Sequence, residues 1–113
     1  MIGAVTRDEY IAATRALVAE GERIGARPSM PALQTWIAAS DELLQFAWGS
    51  MDRYHLSWLM VGRPAGSVRG RAMTEEETAD YVCEVAAAKT AALRMSLKAV
   101  EEDGMPFLGE TPA

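Results

Sequence analysis

The chain has 113 residues, half of them apolar and 24% charged, which suits one globular domain with a small core and excludes a disordered chain. Its formal net charge of −5 weighs against a dedicated nucleic-acid binder, because affinity for phosphates comes mainly from Lys and Arg. The lone cysteine, Cys83, excludes an internal disulfide and fits a reducing compartment; with no basic leader ahead of an apolar run, the chain reads as soluble and cytoplasmic, with no membrane span.

The first element is "TRDEYIAATRALVAEGERIG". Thr6 followed by Glu9 is a capping box, in which hydroxyl and carboxylate each satisfy a free backbone N–H. Tyr10, Ala13, Leu17 and Ile24, with small Gly21 between, share one helical face, and Gly25 suits the stop, so a helix is predicted at about 7–24. In "ARPSMP", Ser29 suits the N-cap of a short helix with Pro31 in its first turn, where a missing N–H costs nothing. Leu33, Trp36 and Ile37 give that helix an apolar stripe. Ser40 then reads as another N-cap, with Asp41 and Glu42 at the positive end of the next helix dipole. On this reading "RPSMPALQTWIAASDELLQFAW", residues 27–48, is two capped helices and not one.

From Asp41 the pattern lengthens. Leu44, Ala47, Met51, Tyr54, Trp58 and Val61 are spaced 3, 4, 3, 4, 3, which keeps one face apolar, while Gly49-Ser50 could bend or break the helix. Leu43, Phe46, Trp48, Leu56, Leu59 and Met60 widen the apolar area beyond one face, as a core element or an oligomer interface would. "GRPAGSVRGRA", residues 62–72, is the clear linker and is basic. Thr74 with Glu77 forms a second capping box and opens the last helix. Ala79, Val82, Ala86, Thr90, Leu93, Leu97 and Val100 follow at helical spacing, and Asp103-Gly104 ends the run. The tail "MPFLGETPA" is irregular, with Met105, Phe107 and Leu108 able to pack. The fold class predicted is all-α: one domain over 1–113, with a short helix-turn-helix-like part (7–48), long helices forming a hairpin or bundle that also serve oligomerisation (49–103) and a tail (104–113).

Catalytic signatures are absent from the sequence. There is no glycine-rich phosphate loop, no HExxH and no GxSxG. His55, the one histidine, has Asp52 a turn back and reads as the polar edge of a helix. Cys83 reads as a small buried residue beside the last apolar face. Glu75, Glu76 and Glu77 read as a solvated first turn. Trp36, Trp48 and Trp58 read as core or interface. No enzyme activity, cofactor or metal is expected.

The stretch from Ala16 to Arg53 resembles the N-terminal region of phage small terminase subunits. The matching residues are Gly21, Arg27-Pro28, Met30-Pro31, Leu33, Trp36-Ile37-Ala38, Asp41-Glu42 and Phe46-Ala47. The resemblance implies a non-catalytic DNA-packaging protein in a bacterial host cell. It would assemble as a homo-oligomer, contact DNA weakly and regulate a large terminase motor. The implied DNA contacts are Arg7, Arg15, Arg23, Arg27, Ser29, Gln34, Thr35 and the linker's Arg63, Arg69 and Arg71. The implied oligomer or partner contacts are Leu44, Met51, Tyr54, Trp58, Val82, Ala86, Leu93 and Leu97. The segment "SMPALQTWIAAS" carries no Lys or Arg, and base contacts without phosphate anchors give little affinity. The residues themselves leave a second reading open: an acidic all-α adaptor, inhibitor or phage accessory protein that binds a protein through a Met- and Trp-rich surface and binds no DNA.

Overall fold

In the computed structural model, which describes residues 5–62 and 72–110, the capping box at Thr6 is formed. Thr6 Oγ1 accepts from the Glu9 N–H at 3.1 Å, and Glu9 Oε1 accepts from the Thr6 N–H at 2.8 Å. The Thr6 N–H and hydroxyl hold the Glu9 carboxyl below its ordinary value. The helix they start, α1, runs Arg7–Ala26. At the other end of the chain, Thr74 and Glu77 form the same box at 3.1 and 2.9 Å and open α4, Glu75–Glu101.

The middle of the chain differs from the prediction. A single helix, α2, runs Met30–Trp48. Ser29 is its N-cap, its hydroxyl accepting from the Ala32 N–H at 3.3 Å, and Pro31 sits in the first turn as expected. Ser40 is no cap: it lies in mid-helix, fully buried, and its hydroxyl has no hydrogen-bond partner. The physical reason is that Leu33, Trp36, Ser40, Leu44 and Ala47 keep one continuous buried face, so nothing stops the helix at Ser40. The break comes instead at Gly49, whose φ of 96° lies in a region that only glycine occupies without strain. Met51 follows at φ 64°, and Asp52 starts α3, Arg53–Met60. The apolar run 41–61 is therefore two helices joined by a turn.

The fold is all-α, and α1 and α4 form an antiparallel hairpin of non-adjacent helices. Tyr10 Oη donates to Ser96 Oγ at 3.0 Å near one end, and Cys83 Sγ donates to the Gly25 carbonyl at 3.4 Å near the other. Of the buried residues of α4, Thr90 sits beside Gly21 of α1 and Ser96 accepts from Tyr10, whereas Lys89 turns to Trp58 of α3. Along α1 the buried residues Tyr10, Thr14, Gly21 and Ile24, with the half-buried Leu17 between, form one helical face. Gly21 is needed there, since a Cβ would come within 2.7 Å of Trp36 Cζ2 and also strike Thr90. α2 and α3 cover the hairpin, with Leu33, Trp36, Leu44 and Trp58 in the shared core. Each such fully buried apolar side chain stabilises the fold by about 1.5–3 kcal/mol relative to an exposed one.

This packing alters the expected interface. Leu44, Trp58, Val82, Ala86 and Leu93 are between 0 and 1% exposed inside the chain's own core, so they have no surface to offer a second copy. The core also crosses the boundary drawn between residues 48 and 49, because α1 packs on α4. Among the described residues, no helix is long and apolar enough to cross a membrane.

Candidate functional site

Three of the cations expected to meet DNA, Arg7, Arg15 and Arg23, are paired with carboxylates of the chain. Arg7 makes a two-pronged pair with Glu110, at 3.1 and 3.0 Å, and donates to the Val100 carbonyl at 2.9 Å. Arg15 pairs with Glu101, and Arg23 with Glu20 at 2.7 Å. Arg94 pairs with Glu22 at 3.0 Å, and Lys98 with Asp103 at 3.6 Å. Arg27, the C-cap of α1, is exposed, as are Gln34 and Thr35 in the first turns of α2. The Ser29 hydroxyl is already occupied as a cap. Arg63, Arg69 and Arg71 lie outside the described residues. Arg7, Arg15, Arg23, Arg94 and Lys98 thus each have a carboxylate partner, while Arg15, Arg23, Arg94 and Lys98 keep side chains at least half exposed.

Of the expected interface residues, Met51 is exposed, at 59%, while Tyr54 and Leu97 are half-buried. Tyr54 packs at a tilt on Trp48, with ring centres 4.6 Å apart, and so belongs chiefly to the core. Besides Met51, the exposed large apolar side chains among the described residues are Leu56, Met60, Met73, Met95 and Leu108. Leu56 and Met60, one turn apart on α3, are 38 and 60% exposed. Met51 lies in the turn that leads into the same helix, and Leu108 projects beside Gly49 at the start of that turn. Apolar surface therefore follows the 49–52 turn and continues along α3. Widened hydrophobicity around residues 56–60 was visible in the sequence; which side chains it would leave outside was not.

Grooves also lie away from this surface. Leu17, Glu20, Pro31, Ala32, Thr35, Trp36 and Ala39 line an open apolar groove of about 460 Å³ between α1 and α2. Pro28, Met30, Met73 and the first turns of α4 line another of about 300 Å³.

Beneath α3 lies a polar junction that the sequence did not reveal. His55 is 2% exposed. The Met51 N–H donates to its Nδ1 at 2.8 Å, so Nδ1 carries no proton, and Nε2–H donates to Asp41 Oδ1 at 2.5 Å. Asp41 Oδ2 accepts from Gln45 at 2.8 Å. The expected neighbour Asp52 is instead the N-cap of α3. His55 stacks on Trp58, and Lys89 Nζ lies 4.1 Å from the Trp58 ring centre while donating to the Trp58 carbonyl at 2.7 Å. That carbonyl is in the last turn of α3, where a cation complements the helix dipole. The chemistry of this junction is cohesive. An Asp–His pair can orient a general base, but here the second ring nitrogen accepts the Met51 N–H. Among the described residues, no group of three or more His, Cys, Asp or Glu side chains could hold a metal ion.

Comparison with known proteins adds no further constraint: no protein-family model, curated protein or solved structure matches the chain.

Proposed function

We propose that this chain is a non-catalytic, all-α protein-interaction protein that docks a partner protein on the surface of α3. The observation that carries this reading is the run of exposed Met51, Leu56 and Met60 on and before α3. Flexible, polarisable methionine suits a surface that adapts to a partner, and apolar area of this kind on a small domain marks an interaction site. The internal pairing of Arg7, Arg15, Arg23, Arg94 and Lys98 supports a partner other than nucleic acid.

The test is a paired purification from the native host after nuclease treatment, with the wild-type chain and with Leu56→Glu/Met60→Glu. A protein retained by the first and lost by the second is the expected result. Equal retention by both would remove α3 as the docking surface. A second reading, a small-terminase-like DNA-packaging protein, keeps support from the exposed Arg27, Gln34 and Thr35 at the opening of α2. Retention of duplex DNA that falls steeply between low and moderate salt would favour it over the first.

A further inference from the structure

We propose that the segment after α4, Met105–Glu110, is an exchangeable strap, and that its cleft also accepts the same segment of a second copy of this chain. The cleft recognises the strap at three points. Phe107, 6% exposed, packs against the rings of both Tyr10 and Trp48, with ring centres 4.8 and 5.9 Å away. Gly109 donates its N–H to the Ala47 carbonyl at 3.0 Å and accepts from the Val5 N–H at 3.3 Å. Glu110 takes the two-pronged bond from Arg7 and pairs with Val5 in a parallel bridge. Gly109 has no room for a side chain, because a Cβ would lie 2.6 Å from the Phe46 carbonyl oxygen. An aromatic ring, a glycine and a carboxylate at fixed spacing, held by backbone bonds, are the elements of peptide recognition by strand addition.

None of these contacts depends on the strap belonging to the same chain. Its only covalent tie to the hairpin passes through Gly104, which sits at φ 66° with open space around it. There the Met105 N–H bonds the Ala99 carbonyl at 2.8 Å and closes α4 in a glycine-type C-terminal cap. That left-handed residue folds the strap back onto its own cleft. If residue 104 adopts an extended conformation, the strap points away from its own cleft and can enter that of a second copy. A symmetric dimer by exchange follows, with the same contacts made twice.

The experiment uses the full chain. Gly104→Val penalises the left-handed hinge, whereas Gly104→Asn tolerates it. Light scattering after size exclusion, from submicromolar to submillimolar protein, is expected to show dimer at about hundredfold lower concentration for Gly104→Val than for wild type, because each dimer relieves two hinges. Gly104→Asn should behave as wild type. Adding Gly109→Ala, which bars the strap from every cleft, should return Gly104→Val to monomer, whereas Leu56→Glu/Met60→Glu should leave its dimer intact. A folded Gly104→Val that stays monomeric throughout would overturn the proposal. So would a dimer that survives Gly109→Ala. If Gly104→Val loses wild-type helicity, deletion of Gly104 replaces it and the same outcomes apply.

Discussion

Tyr10 shows how one side chain can connect elements that are far apart in the chain. Its hydroxyl donates to Ser96 Oγ on α4 and accepts from Trp48 Nε1 on α2 at 2.9 Å. Its ring meets Trp48 edge-on and packs at a tilt on Phe107. Burial raises the phenol above its ordinary value of 10.0, against smaller lowering effects from Ser96, Trp48 and Thr14. The unfolded chain ionises this tyrosine at about its ordinary value while the folded chain keeps it neutral, so its contribution is intact below that value and is lost as pH rises further. Tyr10→Phe should cost about 1–3 kcal/mol at neutral pH, mostly from leaving the buried Trp48 N–H without an acceptor. Urea denaturation of both proteins over a pH series checks this. The gap between them should narrow above about pH 10, and a gap that widens there would contradict the assignment.

At the scale of elements, two serines that look alike in the sequence have opposite consequences. Ser29 caps α2, and Ser29→Ala should cost about 1 kcal/mol. Ser40 is buried in mid-helix without a hydrogen-bond partner, so Ser40→Ala removes an unsatisfied hydroxyl and adds a better helix former. It should be neutral or stabilising by thermal denaturation, and a loss equal to that of Ser29→Ala would restore the two-helix reading. The contrast explains what was legible in the sequence. The boxes at Thr6 and Thr74 were readable because both partners lie within one turn. Ser40 was misread because serine before two acids carries the same local signature whether or not the chain turns there. Whether it caps depends on Trp36 and Leu44, which continue one buried face past it. The site was less legible still. Periodicity marks Val82, Ala86 and Leu93 as an apolar face, but it does not say whether α1 or a second copy will cover it. Asp41–His55 and Arg7–Glu110 join residues 14 and 103 positions apart, beyond the reach of any local pattern.

The whole molecule is bound together by contacts that ignore the chain's apparent division into a helix-turn-helix-like front and a long-helix rear. α1 comes from the first and α4 from the second, yet they pack against each other along one seam. Arg15–Glu101 and Arg94–Glu22 bridge the same two helices at the surface, where ion pairs contribute little, so the seam and the aromatic cluster dominate. Phe107 extends that cluster beyond α4 and packs on residues of α1 and α2. Neither half retains a core of its own if the other leaves. Unfolding is therefore expected to be a single transition, with tryptophan fluorescence, dominated by α2 and α3, and far-ultraviolet circular dichroism, dominated by α1 and α4, coinciding in urea. Phe107→Ala should shift both curves together, by about 3–5 kcal/mol. Leu108→Ala, at a side chain 80% exposed, should shift neither by more than about 0.5 kcal/mol. Two separated transitions in the wild-type chain, or a Phe107→Ala shift seen by only one probe, would mean that the halves fold independently and that the seam between α1 and α4 is not what makes them one unit.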